Sequence, residues 1–150
     1  MTVRCITFDL DDTLWETGPV IARAEKIAHQ WMAERAPGAV AGRDMGELLE
    51  HRRAFYASVP HLSHDFTALR RNWLIQLFGE AGLDASLAHD AFDAFWHARN
   101  DVKPFPEAMA LIESYSASMV LGTITNGNAS VEHIGLGHHF DFIVTAADAG

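Results

Sequence analysis

The 150-residue sequence contains one cysteine, Cys5, and so has no second thiol with which to close an internal disulfide. A reducing compartment fits that usage. Positive charge is scarce: 11 Lys and Arg stand against 20 Asp and Glu, a net charge of −9 with His neutral. No basic run interleaves with aromatic residues, which argues against nucleic acid as a partner. No apolar run approaches the roughly 18 residues of a membrane-crossing helix, and membrane is likewise not an expected partner. The opening MTVRCITFDLDDT lacks the basic segment, long apolar stretch and small-residue cleavage site of a secretory leader, so a cytoplasmic location is expected. Repeats and low-complexity stretches are also missing. The acidic balance does not exclude an anionic ligand, because a bound divalent cation or a few backbone N–H groups set a local field independently of net charge.

What is present is a chain that is 49% hydrophobic, enough to build a core. Residues 3–8 (VRCITF) form a short run of strand formers stopped by acidic residues. Val20, Ile21, Ala24, Ile27, Ala28, Trp31 and Met32 then recur at helical spacing, which predicts a helix to about Arg35 that Pro37 and Gly38 end. Further helices are expected over 45–57, 65–81, 85–99 and 107–116, separated by Pro and Gly breakers. Residues 119–125 (MVLGTIT) and 140–145 (FDFIVT) are strand candidates, with a short helix between them over 129–136. Strand, helical insert, helix, strand, helix, strand is the order of an α/β fold with a parallel sheet. Tyr56, Trp73, Phe92, Phe95 and Trp96 fall at helical spacing and are read as core. The nine histidines lack a cysteine partner or an HExxH pattern and are read as surface or turn residues.

The segment Phe8-Asp9-Leu10-Asp11-Asp12-Thr13-Leu14 carries the most information. Asp9, Asp11 and Asp12 repel one another at the end of an apolar strand, so placing them there calls for a cation or a chemical purpose. In open parallel sheets ligands bind at the carboxyl ends of strands. Because strand side chains repeat with period two, Asp9 and Asp11 are expected to point to the same side, where they can share one substrate, and Asp12 to point away. A solvated turn or helix cap is the plainer alternative for such a cluster.

An apolar strand followed by DxDxT resembles the first motif of the haloacid dehalogenase superfamily. The resemblance implies that Asp9 is a nucleophile forming an aspartyl-phosphate and that Asp11 is the general acid and base. It implies Mg²⁺ as cofactor, held by the Asp9 carboxylate and the Asp11 backbone carbonyl, with Thr13 bracing the loop. ITNGN at the second strand's end is similar to the family's second motif. Thr125 and Asn126 would then contact the phosphate, together with Leu10 between the two acids. For Thr125 the alternative is a hydroxyl that bonds its own turn. The resemblance assigns 1–16 and 101–150 to a Rossmann-like core, of which three strands are expected here. It assigns 17–100 to an inserted four-helix cap. FDLDDTLW, PVIARAE, ITNGNA and GLGHHFDF look like the subgroup acting on flavin mononucleotide or on a phosphoribitylaminouracil intermediate of riboflavin synthesis. Trp15, Tyr56, Arg71 and Trp73 would then be placed to meet an aromatic, phosphorylated ligand.

The resemblance also implies a lysine, in a Gly-Lys-Pro setting, and a later acidic pair that completes the metal site. Neither follows Thr125 in these residues, Lys103 precedes the second motif, and Asp148 lies before the expected lysine. The residues are therefore expected to come from a longer polypeptide, and to be inactive or weakly active alone. The expected function is Mg²⁺-dependent hydrolysis of a small phosphorylated metabolite. The alternatives are a 2-haloacid dehalogenase, a catalytically impaired binding module, and a fragment that completes its sheet in trans. A dehalogenase has no leaving alcohol to protonate, so an acid at Asp11 favours phosphoryl transfer.

Overall fold

The computed structural model describes residues 3–149, which form two compact units: 3–20 with 100–149, and Ile21–Arg99. The first unit is built on β1 (Cys5–Phe8), β2 (Val120–Thr125) and β3 (Phe142–Thr145), joined as one parallel sheet in the order β1-β2-β3. Parallel neighbours need long crossovers. Between β1 and β2 the chain passes through the whole helical unit and then α6 (Pro106–Ser116). The β2 to β3 connection holds α7 (Val131–Ile134), and α8 (Ala146–Ala149) follows β3.

Side-chain hydrogen bonds reinforce the sheet and the connection that follows β2. Asp141 donates its N–H to the Leu121 carbonyl at 2.7 Å, and its carboxylate accepts the Leu121 N–H at 2.8 Å, so β3 starts in fixed register with β2. Buried Asn100 accepts the Ser130 N–H at 2.7 Å, and Ser130 caps α7. Phe8, Leu10, Leu14, Trp15, Ile112, Leu121, Ala129 and Val131 form the core of this unit. Gly122 lies beside Phe142, whose ring occupies the space where a β-carbon at 122 would stand.

The second unit is helical. It comprises α1 (Thr17–Arg35) from Ile21 onward, α2 (Pro37–Val40), α3 (Met45–Ser58), α4 (Phe66–Glu80) and α5 (Ala85–Asn100) to Arg99. Pro37 does not simply close α1. It opens the one-turn helix α2 from its first position, where a missing N–H costs nothing. Asp44 and Glu47 form a reciprocal capping box at the start of α3, and Asp65 caps α4. Trp73, Leu74, Leu77, Phe78, Ala91 and Phe92 centre the apolar core, with Tyr56 and Trp96 packed against it. Phe95 belongs to a smaller cluster with Ala24 and Ala28.

One polar group interrupts this interior. Glu25 of α1 accepts from Arg52 at 2.7 Å and from Arg70 at 2.5 and 3.3 Å. Burial alone raises a carboxyl's pKa, but Arg70 and then Arg52 outweigh it and hold Glu25 below the ordinary carboxylate range. Burial also lowers the pKa of Arg70, against the pull of Glu25.

Two predictions follow from this packing. Gly122→Val is expected to lose about 1–3 kcal/mol, since the new side chain must displace the Phe142 ring; urea denaturation measures it. Glu25→Gln leaves buried Arg70 and partly buried Arg52 without their anion, at a cost of about 3 kcal/mol. Because Glu25 is more acidic folded than unfolded, its stabilisation is full above the ordinary glutamate range and fades as pH falls through the depressed folded value. Melting curves from neutral to acidic pH should therefore slope less steeply for Glu25→Gln than for the unsubstituted chain.

Candidate active site

Three strands running the same way bring their carboxyl ends to one edge of the sheet. There, Asp9 after β1, Thr125 and Asn126 at the end of β2, and Thr145 and Ala146 at the end of β3 line an open pocket of about 420 Å³. The Asp9 side chain is exposed, and one of its oxygens accepts the Leu10 N–H at 2.8 Å. Leu10 itself is fully buried, so only its backbone lies within reach of this pocket's acid. The Thr125 hydroxyl accepts the Gly127 N–H at 3.1 Å, and its own proton remains to donate. Both readings of Thr125, turn hydroxyl and pocket donor, are compatible with that arrangement.

Asp11 is not among the residues lining the pocket. The alternation that would align it with Asp9 ends with β1 at Phe8, because the chain then leaves the sheet and turns over residues 12–14. The Asp11 carboxylate instead accepts the Trp15 indole N–H and the Thr17 hydroxyl, both at 3.1 Å. Asp12 takes the left-handed conformation, φ 58°, which Asp tolerates better than most residues. It exchanges two hydrogen bonds with Thr17: its N–H donates to the Thr17 hydroxyl at 2.9 Å, and its carboxylate accepts the Thr17 N–H at 2.8 Å. The cluster is thus both helix cap and loop lock.

Two sequence expectations change here. Thr13 gives only its backbone N–H, to the Leu10 carbonyl at 3.2 Å, and the hydroxyl that braces the loop belongs to Thr17. Thr17 was overlooked because it falls outside DxDxT; its spacing of five residues from Asp12 is the signal. Trp15 is fully buried in the core with its N–H committed to Asp11, so it is no ligand contact. Within the helical unit, Trp73 is likewise buried, donating to His51 at 3.0 Å, while Arg71 is exposed and stacks on Phe92 at 4.4 Å. Tyr56 packs partly buried against the same core. Thr145 is a pocket residue that the sequence reading missed. Its N–H and hydroxyl donate to Asp148, and these hydrogen bonds lower the Asp148 pKa.

Among the described residues, no group of three or more His, Cys, Asp and Glu side chains is assembled to hold a metal. Asp9 offers an exposed carboxylate, an oxygen donor of the hard type that suits Mg²⁺, which commonly keeps waters and takes one or two carboxylates with substrate phosphate. No helix among the described residues is long and apolar enough to cross a membrane.

Residues 3–150 match the family described as haloacid dehalogenase-like hydrolase. The chain belongs to that family. It is 34% identical over 154 residues to the 5-amino-6-(5-phospho-D-ribitylamino)uracil phosphatase YigB of Escherichia coli K12, an alignment covering 99% of this chain and 63% of that protein. A crystal structure of a 2-haloacid dehalogenase from Pseudomonas syringae pv. Tomato DC3000 superposes with a TM-score of 0.90 at 38% identity, covering 99% of this chain and 66% of that one. The HAD-hydrolase YfnB of Bacillus subtilis shares the fold, with a TM-score of 0.56 at 16% identity, over 95% of this chain and 65% of that one. The chain therefore spans just under two thirds of the length of these first relatives.

Removing the loop brace tests the lock without touching the pocket. Thr17→Val keeps the shape but not the hydroxyl, and is expected to cost about 1 kcal/mol in thermal or urea unfolding.

Proposed function

We propose that the protein hydrolyses a small phosphorylated metabolite with Mg²⁺ through a phosphorylated Asp9. The observation that carries this reading is the shared pocket of Asp9, Thr125 and Asn126 at the carboxyl ends of adjacent strands. Similarity to a phosphatase of E. coli supports the phosphoryl class, and that relative's substrate, a ribityl phosphate, is the first compound to assay.

In this mechanism an Asp9 oxygen attacks phosphorus, and the bond from phosphorus to the ester oxygen breaks as the new one forms. Asp11 gives its proton to the departing oxygen. A water then attacks the aspartyl-phosphate, Asp11 takes the water's proton, and inorganic phosphate leaves Asp9. Trp15 and Thr17 both donate to one Asp11 oxygen outside the pocket lining, so both transfers require the Asp11 carboxyl to turn from that position toward the strand-end pocket. The Thr125 hydroxyl and the backbone N–H groups of Asn126 and Leu10 donate to the phosphoryl oxygens. For Leu10 this means exchanging its present bond to Asp9 for one to substrate. Mg²⁺ bound by the Asp9 carboxylate and the Asp11 carbonyl would offset the repulsion between nucleophile and phosphate.

A second reading has an observation of its own, the 38% identity to the 2-haloacid dehalogenase of Pseudomonas syringae. There Asp9 would attack carbon and expel halide. Halide needs no proton, so that reaction gives Asp11 no task.

Assays on the protein at its natural length separate the two. Phosphate release from the ribityl phosphate or p-nitrophenyl phosphate should need Mg²⁺ and vanish in Asp9→Asn. Thr125→Ala should lower kcat about 10²-fold or more, the usual loss for one donor to a developing oxyanion. Halide release from 2-chloropropionate with no phosphate release would reverse the assignment.

A further inference from the structure

The helical unit holds a cavity of its own, about 90 Å³, lined by Met32, Leu48, Leu49, Leu74 and Phe95 around the polar group of Glu25, Arg52 and Arg70. All its lining residues lie between 21 and 99, so the site belongs to one compact unit. It does not depend on the phosphatase reading.

Charge within it is unbalanced. Two guanidiniums converge on the same Glu25 oxygen, at 2.7 Å from Arg52 and 2.5 Å from Arg70. One carboxylate against two cations leaves one net positive charge in an apolar surround. Arg70 is the more committed of the pair: it makes a two-pronged contact with Glu25 and lies over the Phe95 ring at 3.5 Å. Arg52 makes one hydrogen bond, to Glu25, and stands 5.5 Å from the Trp73 ring centre. A guanidinium has five N–H donors, so Arg52 keeps several for another acceptor. The titratable neighbours are His29, which lines the cavity, and Tyr56, whose hydroxyl burial keeps protonated past its ordinary range despite Arg70 and Arg52. Neither supplies a second anion at neutral pH.

We propose that this cavity binds a small organic monocarboxylate, whose head group pairs with Arg52 and whose apolar body lies against Met32, Leu48, Leu74 and Phe95. A planar carboxylate matches the guanidinium fork. Its single negative charge neutralises the one in excess. A phosphate dianion would reverse the imbalance and bring oxygens for which the apolar walls hold no donors. A neutral apolar molecule would fill the space but leave the excess positive charge of the Glu25, Arg52 and Arg70 group uncompensated. The cavity is small, so a short aliphatic chain is the natural size.

Titration calorimetry of the intact protein with hexanoate tests this. Saturable binding is expected, about tenfold or more tighter than that of hexan-1-ol, because one charge-assisted pair is at stake. Inorganic phosphate should not compete. Arg52→Met keeps the side chain's apolar stem and leaves Glu25 and Arg70 as a neutral pair; hexanoate binding should weaken about tenfold with little change in melting temperature. Asp9→Asn should bind hexanoate unchanged, which separates this site from the strand-end pocket. Absence of saturation, equal binding of hexan-1-ol, competition by phosphate, unchanged binding by folded Arg52→Met, or loss in Asp9→Asn would each overturn the proposal. Should Arg52→Met fail to fold, the comparison of hexanoate with hexan-1-ol on the unsubstituted protein decides the matter alone.

Discussion

Parallel pairing of β2 with a strand on either side is the constraint on which the strand-end pocket depends. It aligns Phe8 with Thr123 and Thr125 with Thr145, so the residues just beyond those positions meet at one edge. Nothing local in FDLDD or in ITNGN brings them together, since more than a hundred residues separate the two segments. The pairing is held by ladder hydrogen bonds and by the Asp141 clamp on Leu121. Phe142 must also lie against Gly122, a close approach that a side chain at 122 would prevent.

Past the strand, a second device takes over. The loop from Asp9 to Thr17 contains three carboxylates, and the protein distributes them rather than pooling them. Asp9 is left exposed at the pocket, Asp11 is bonded to Trp15 and Thr17, and Asp12 caps the start of α1. Mutual repulsion is lessened because two of the three acids accept donors from outside the acidic cluster. The same bonds tie the loop to buried Trp15, so the stability of the core fixes the geometry of the acids. That coupling is how a short surface turn acquires rigidity.

The helical unit shows a different balance. Its long helices were legible from their spacing because an amphipathic stripe recurs whatever it packs against. Its interior charge was not. Glu25, Arg52 and Arg70 lie on three helices, and each alone reads as an ordinary solvated residue. Likewise Pro37 read as a stop, whereas it begins α2, because a proline ending one helix is also well suited to the first turn of the next. The buried state of Trp15 escaped notice for the same reason: an indole beside an acid motif can serve a ligand or a core, and only packing chooses.

By itself the sequence determined the alternation of strands and helices, the acids at the first strand's end, and the resemblance that points to phosphoryl chemistry. These are short-range properties, set by residue type and period over a few positions. The tertiary structure decided which acid faces the pocket and which is bonded to the core. It also revealed that Thr17 rather than Thr13 braces the loop, and that an excess cation lies inside the helical unit. Those outcomes depend on distances between segments remote in the chain, and periodicity carries no information about such distances.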